Sequence, residues 1–247
     1  MSHSFDQVKT RIVCLLVLAA LAAGAKCAAA KEVLAPTDGA RRAKTWAKEM
    51  AAFEKQDAAA PPAPGSIIFV GSSSIRMWNL DKWFPDLPVV NRGFGGSTIA
   101  DSVYFADTLV IKHNPSVIVF YAGDNDLAGG MSPEQVHRDF QEFVSVVRES
   151  LPETPIAYVA VKPSIARWKL ADEIQAANAL IAADCAEDDT LMFLDVWPPM
   201  LGADGKPKQE LFLADGLHMS DAGYQIWVDM LRPQLDKLLA ASGDAQE

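Results

Sequence analysis

The sequence predicts an α/β protein, a three-layer sandwich in which helices cover both faces of a mostly parallel five-stranded sheet. Five short runs rich in Val, Ile, Leu and Phe alternate along the chain with longer segments that carry apolar residues at helical spacing. Such continuous apolar runs are typical of strands that are buried on both faces. Polar and glycine-rich stretches follow these runs, so we expect them to meet at the carboxyl ends of the strands, where ligands bind in such sheets.

The strands are expected where apolar β-branched and aromatic residues cluster between turn residues, as where Pro64 and Gly65 introduce the first run. The predicted strands are Ile67–Val70, Leu87–Arg92, Ser116–Tyr121, Pro155–Val161 and Leu191–Val196.

The helices are expected where apolar residues recur every three or four positions, with Ser132-Pro133 as a start signal and Asn114-Pro115 as a stop signal. The predicted helices are one that begins at about Ile75, Ile99 to about Lys112, one that begins at Ser132, about Leu170 to Ala186, and Asp221 to Leu239.

Residues 1–30 have the layout of a secretory signal peptide. Lys9 and Arg11 precede the apolar run Ile12–Ala25, and small residues close the segment, so we expect cleavage near Ala30. The run has 14 residues, which is short for a bilayer span, so a permanent anchor is the less favoured interpretation. We expect a periplasmic or secreted protein without stable membrane association after cleavage.

The rest of the chain divides into two segments. Residues 31–65 are predicted to hold a helix from Ala43 to Gln56 and to end in a Pro/Ala-rich connection. Residues 66–247 are long enough to form one domain with a single core.

The charge of the chain limits its partners. The 247 residues carry a formal net charge of −10, and residues 31–247 carry −12, because residues 1–30 hold three basic side chains and one acidic one. No basic cluster occurs in residues 31–247, which argues against nucleic acid and anionic membranes as partners. Cys185 is the one cysteine beyond residue 30, and its apolar helical position indicates a buried thiol. We expect no metal and no other cofactor.

Three hydroxyl side chains, Ser72 to Ser74, follow Gly71 at the turn between the first strand and the next helix. A serine at such a turn holds its Oγ at the open end of the sheet, and its backbone N–H lacks an intrahelical acceptor. Capping of the helix is the structural alternative for all three.

His218 stands just before the last predicted helix, three residues after Asp215 and beyond a flexible Gly216. This spacing allows the carboxylate to contact one imidazole nitrogen, which leaves the other nitrogen for a nucleophile or a substrate. A structural histidine is the alternative.

Four blocks occur in a fixed order: glycine and two serines at residues 71–73, Gly96, Gly123 to Asp126, and Asp215 to His218. Together they resemble the four blocks of the SGNH (GDSL-type) hydrolases, over about residues 66–240, and most closely the bacterial relatives of the platelet-activating-factor acetylhydrolase type. The first block departs from the family pattern, because Ser72 stands where these enzymes usually have aspartate.

The resemblance implies an SGNH/flavodoxin-like sandwich and a serine esterase mechanism. It assigns Ser73 as the nucleophile, His218 as the general base and Asp215 as the group that orients the imidazole. The oxyanion would be bound by the backbone N–H groups of Ser73 and Gly96 and by the side-chain amide of Asn125.

Two further positions are candidates for substrate contact. Arg167 and Trp168 follow the fourth strand and could reach the leaving group, although a surface arginine beside a packed tryptophan is the alternative. We expect Asp126 to tie its loop through side-chain to backbone hydrogen bonds. Trp78 and Trp197 join Trp168 as candidate stacking partners for a sugar.

The predicted activity is hydrolysis of short-chain carboxylic esters, in particular acetyl esters of glycans or other small polar alcohols. The alternatives are a lysophospholipase or thioesterase that acts on longer acyl chains, and a non-catalytic glycan-binding relative. A nucleotide-binding fold built on residues 93–96 is disfavoured, because the third glycine of that fingerprint is missing. The sequence does not indicate the oligomeric state.

Overall fold

The computed structural model describes residues 36–244. The expected signal peptide at residues 1–30 lies outside the described residues. The chain divides into two compact units, residues 1–41 and 42–247. In the first unit the described residues begin a helix in which Arg41 forms an ion pair with Asp38.

The second unit contains one five-stranded sheet. Its strands are β1 (Ile67–Gly71), β2 (Val89–Gly93), β3 (Val117–Tyr121), β4 (Ile156–Val159) and β5 (Leu191–Leu194). They lie side by side in the order β2-β1-β3-β4-β5, and every neighbouring pair is parallel. The predicted α/β fold with its mostly parallel five-stranded sheet is therefore confirmed.

Helices connect the strands and follow the last one. They are α1 (Pro36–Thr45), α2 (Ala47–Ala59), α3 (Ser73–Arg76), α4 (Leu80–Trp83), α5 (Ile99–Tyr104), α6 (Ala106–Leu109), α7 (Asp124–Ala128), α8 (Pro133–Arg148), α9 (Ala171–Glu187) and α10 (Asp221–Asp244). Short 3₁₀ turns occur at Ile111–His113, Trp168–Leu170, Pro198–Met200 and Gln209–Leu211.

Helices α2–α10 form the outer two layers, and the side chains of each strand alternate between them. On β3, Phe120 points to the layer of α2 and α5–α9 and stacks on Phe143 with ring centroids 4.1 Å apart. The next residue, Tyr121, points to the layer of α3, α4 and α10, where its ring centroid lies 4.8 Å from that of Trp227. Both faces of the sheet are thus buried, which explains the continuous apolar runs of the sequence.

Two predicted helices are interrupted. The helix expected from Ile99 to Lys112 breaks at Phe105 (φ −103°, ψ 16°), and the one expected from Ala43 to Gln56 breaks at Trp46 (φ −103°, ψ 10°). Both rings pack edge-on against Phe94, at centroid distances of 6.5 Å and 5.0 Å. Tertiary packing on this shared ring overrides the local helical pattern.

Cys185 lies on α9, partly buried against the core. Burial, together with the carboxylates of Asp184 and Asp188, raises the pKa of the thiol to about 12. Alkylation by iodoacetamide at pH 8 should therefore be more than about tenfold slower in the native protein than in guanidinium, where an unfolded thiol has a pKa near 8.5. Peptide mass spectrometry measures both rates at this cysteine, and equal rates would contradict the assignment of a buried thiol.

Candidate active site

The strand order creates a crevice at the carboxyl edge of the sheet. The chain moves from β1 to β2 on one side and then crosses to β3 on the other side of β1. The loops after β1 and β3 therefore diverge, and ligands bind at such switch points. Ser73 follows β1, Gly96 follows β2, Asn125 follows β3, and Arg167 follows β4, while His218 comes from the long segment after β5.

The turn after β1 depends on a glycine. Gly71 has a φ of +137°, and a Cβ at this position would lie 1.9 Å from the carbonyl oxygen of Tyr121, so a larger residue cannot fit. The turn leaves Ser72 and Ser74 each only 2% exposed, whereas Ser73 is partly exposed at the first position of α3. Of these three hydroxyls, Ser73 is the one that faces the crevice.

The imidazole of His218 bridges Ser73 and Asp215. Its Nε2 lies 3.1 Å from Ser73 Oγ, and its Nδ1 lies 2.6 Å from Asp215 Oδ2. The other carboxylate oxygen of Asp215 accepts hydrogen bonds from the backbone N–H groups of Leu217 and His218, both at 2.9 Å. The turn that makes these contacts uses Gly216 at a φ of +65°. The carboxylate is therefore fixed against the ring by its own loop.

This contact keeps the Asp215 carboxyl group ionised. The side-chain hydrogen bond from His218, followed by the two backbone N–H bonds, lowers the pKa of Asp215 to about 2. The carboxylate is thus ionised at neutral pH and accepts a hydrogen bond from the Nδ1–H group of His218. The Nε2 atom of a neutral ring is then left as an acceptor that faces the Ser73 hydroxyl. This arrangement suits general-base activation of the serine.

Three hydrogen-bond donors follow β1, β2 and β3. The backbone N–H of Ser73 starts a helix, and that of Gly96 lies in a turn with a φ of +89°. Within residues 36–244 neither N–H has a backbone acceptor. The amide Nδ2 of Asn125 donates to the carbonyl of Ser97 at 2.9 Å, which leaves its second hydrogen for a ligand. Together these donors can bind an oxygen that develops negative charge.

Asp126 ties the loop of Asn125 to α5, as predicted. One carboxylate oxygen accepts from the backbone N–H of Ile99 at 2.9 Å, and the other accepts from that of Gly123 at 3.1 Å. Burial raises the pKa of Asp126 to about 7. Asp126 is fully buried, so it supports the site without reaching the crevice.

The comparison with family models identifies the family of the chain. The model of the GDSL-like lipase/acylhydrolase family matches residues 73–226, a range that contains Ser73, Asn125 and His218. The chain belongs to this family. It is a hydrolase of the GDSL type, and its site geometry has the elements that acyl transfer requires.

Solved structures share the fold of this GDSL-like hydrolase. A Streptococcus pneumonia protein named for platelet activating factor is 22% identical, with a TM-score of 0.70, and the match covers 78% of this chain and 93% of that chain. A GDSL-like lipase from Bacteroides thetaiotaomicron is 20% identical, with a TM-score of 0.66 and coverage of 76% and 97%. An acetyl esterase mutant crystallised with acetate is 15% identical, with a TM-score of 0.57 and coverage of 72% and 99%. No curated protein sequence matches the chain significantly.

The two candidate substrate contacts differ in their surroundings. Arg167 Nη2 donates to Asn125 Oδ1 at 2.9 Å, and its Nη1 forms an ion pair with Asp124. Trp168 is partly buried and stacks on Trp197, with ring centroids 5.9 Å apart. Trp197 is 8% exposed and Trp78 is 2% exposed, so the suggestion that these two rings stack on a sugar is wrong.

Three residues near the GDSL-like site lie outside the four motif blocks, so the sequence analysis did not select them. Lys162 and Tyr121 are fully buried beside the loop of Asn125, where Lys162 Nζ lies 3.0 Å from the Tyr121 hydroxyl. Trp46 lies over the loop after β2, with its Cη2 atom 3.9 Å from the position of a Cβ on Gly96. Lys162 follows an apolar strand, and a lysine at such a position was the one sequence feature that could have pointed to these residues.

An open cavity of about 800 Å³ lies beside Asp215. Its walls combine polar and apolar groups, with Glu210 and Asp215 as carboxylates and with Ile165 and Leu213 exposed by 43% and 45%. The complete lining is Ile165, Ala166, Gln209, Glu210, Phe212, Leu213, Ala214, Asp215 and Gly216.

Within the described part of the chain, no three His, Cys, Asp or Glu side chains are grouped closely enough to hold a metal ion. In the same residues, no helix has both the length and the apolar character needed to cross a bilayer.

Proposed function

We propose that this GDSL-like hydrolase is a serine esterase that cleaves short-chain carboxylic esters, in particular acetyl esters of glycans or of other small polar alcohols. One observation carries the proposed reaction, namely the continuous contact from Asp215 through His218 to Ser73. A hydroxyl within 3.1 Å of an imidazole that a carboxylate orients can be deprotonated as it attacks.

In the first half of the proposed reaction, Ser73 Oγ forms a bond to the acyl carbon while its proton moves to His218 Nε2. The carbonyl oxygen becomes an oxyanion that accepts hydrogen bonds from Ser73, Gly96 and Asn125. When the tetrahedral intermediate collapses, the ester C–O bond breaks and His218 delivers the proton to the leaving alcohol. Asp215 stabilises the imidazolium throughout.

In the second half, water attacks the acyl-enzyme and gives its proton to His218. The bond to Ser73 Oγ then breaks, the carboxylic acid leaves and the serine regains its proton. Each oxyanion donor typically contributes about 2.7–4 kcal/mol to transition-state stabilisation. The three proposed donors should therefore account for a large part of the rate acceleration.

The proposed alcohol is neutral or cationic and polar. Glu210 and Asp215 both line the cavity on the Asp215 side of the proposed triad, and two carboxylates there disfavour a phosphate-bearing headgroup. The net charge of −12 over residues 31–247 likewise disfavours binding to nucleic acid and to anionic membranes. The proposal includes export to the periplasm or the medium, on the basis of the signal-peptide layout of residues 1–30.

One observation favours the second candidate, a lysophospholipase or thioesterase that acts on longer acyl chains. Ile165 and Leu213 are exposed by 43% and 45% at the same cavity, and each additional buried CH₂ would contribute about 0.8 kcal/mol if the acyl chain packed there.

A series of nitrophenyl esters from acetyl to dodecanoyl distinguishes the candidates. We expect log(kcat/KM) to fall after acetyl or butyryl, because the polar walls give a longer chain no continuous apolar surface. A steady rise beyond about six carbons would instead support the long-chain candidate, at up to about fourfold per CH₂ if burial were complete. Absence of hydrolysis for every ester in the series, and for acetylated sugars, would support the non-catalytic alternative.

A further inference from the structure

Both ends of the Asn125 amide are held in the structure. Its Nδ2 donates to the Ser97 carbonyl, and its Oδ1 accepts from Arg167 Nη2, each at 2.9 Å. A flip of the amide would place a donor against Arg167 and an acceptor against the carbonyl, so both contacts would be lost. Arg167 and the Ser97 carbonyl therefore together determine which way the amide faces.

The guanidinium of Arg167 is in turn held by a buried ion cluster. Its Nη1 lies 2.5 Å from Asp124 Oδ1, and Lys162 Nζ lies 2.9 Å from Asp124 Oδ2. The Tyr121 hydroxyl also donates to Asp124 Oδ2, at 3.2 Å. Asp124 is 4% exposed and Lys162 is 1% exposed, so this cluster is shielded from solvent.

The charges in the cluster do not cancel. Burial raises the pKa of Asp124, but Lys162 and Arg167 outweigh this effect and hold it below its ordinary value. Burial also raises the pKa of Tyr121 well above that of a free phenol, so this residue stays neutral. Lys162 and Arg167 thus both contact the Asp124 carboxylate, and Arg167 also contacts Asn125.

Buried ion pairs cost desolvation free energy and are weak evidence for a role in stability alone. From the geometry we infer that Arg167 is a positioning residue, anchored by Asp124 and Lys162, that holds the Asn125 amide so that its second hydrogen is presented to the oxyanion. The inference rests on the proposed esterase function. It differs from a role of Arg167 as a contact for the leaving group, because it acts through Asn125.

A double-mutant cycle on acetyl ester hydrolysis tests the inference. Arg167→Met should lower kcat by about 30-fold to 100-fold, somewhat less than the 10²–10³-fold typical for removal of an oxyanion donor, with KM changed less than twofold. The loss should be the same for nitrophenyl acetate and for an acetylated sugar. In an Asn125→Ala background, Arg167→Met should cost less than about threefold, because its target is already absent.

Two further variants serve as controls. Arg138→Met removes an exposed arginine on α8 that bonds Gln135, and it should leave kcat unchanged. Arg167→Lys keeps a cation beside Asp124 but cannot bond Asp124 and Asn125 with one planar fork, so we expect an intermediate loss of kcat. This variant also provides a readout if Arg167→Met does not fold.

Several outcomes would overturn the inference. They are a rise in KM with kcat retained, a loss that depends on the leaving group, an undiminished loss in the Asn125→Ala background, and an Arg167→Lys variant with the kcat of the wild type.

A second measurement is independent of activity. The two side-chain amide protons of Asn125 should give separate NMR signals with slow hydrogen exchange, and exchange should accelerate in Arg167→Met. If the wild type hydrolyses no ester, the proposed function fails, and the NMR signals still decide whether Arg167 holds the amide. Unchanged exchange in Arg167→Met would overturn the inference even in an active esterase.

Discussion

Replacement of Ser73 by alanine should abolish ester hydrolysis, with a loss in kcat of about 10⁶-fold, as for removal of a triad nucleophile. The physical reason is that His218 Nε2 contacts the Ser73 hydroxyl at 3.1 Å and would have no nucleophile to activate. Steady-state kinetics with nitrophenyl acetate measure this loss.

The neighbouring serines are matched controls. Ser72 and Ser74 are each 2% exposed, so Ser72→Ala and Ser74→Ala should keep most of the wild-type kcat. The Ser74 position also contributes a backbone carbonyl that accepts from the Tyr224 hydroxyl at 2.8 Å, and alanine retains that contact. A Ser72→Ala variant as inactive as Ser73→Ala would contradict the assignment of the nucleophile.

The second largest effect is expected from Asp215→Asn, with a loss in kcat of up to about 10⁴-fold. Asparagine can keep the backbone contacts of Asp215 through its oxygen, and it then turns its NH₂ group towards His218 Nδ1. The imidazole proton would move to Nε2, which could no longer accept the proton of Ser73. The measurement is kcat at neutral pH, where Asp215 is ionised because its pKa is lowered to about 2.

Asp221→Asn removes the same charge from an exposed carboxylate at the start of α10, where it pairs with Lys82 at 2.7 Å. This control should retain activity. A loss below tenfold in Asp215→Asn would show that another group orients the imidazole, and the triad assignment would then be reduced to Ser73 and His218.

The sequence predicted most of the fold, because the signals for it are local. A strand buried on both faces has a continuous apolar run, and each of the five runs became a strand of the parallel sheet. The interruptions at Trp46 and Phe105 could not be predicted in this way. They accompany packing of both rings on Phe94, and local periodicity contains no information about a contact between separate segments.

The same distinction applies to the site. Asp215 and His218 are three residues apart, so their contact is readable from spacing, and the motif blocks point to Ser73 and Asn125. The contact between Arg167 and Asn125 joins positions 42 residues apart, and it depends on the alignment of β3 beside β4. The burial of Lys162 against Asp124 has the same origin, so only the folded structure reveals the cluster behind the oxyanion donors.

Active-site labelling tests the central claim of a serine acyl-enzyme most directly. The protein is treated with a fluorophosphonate, digested, and the modified residue is located by tandem mass spectrometry, with a His218→Ala variant treated in parallel. We predict one adduct per chain, on Ser73, and almost none in His218→Ala. An adduct on Ser72 or Ser74, or the absence of any adduct from a protein that hydrolyses acetyl esters, would contradict the account.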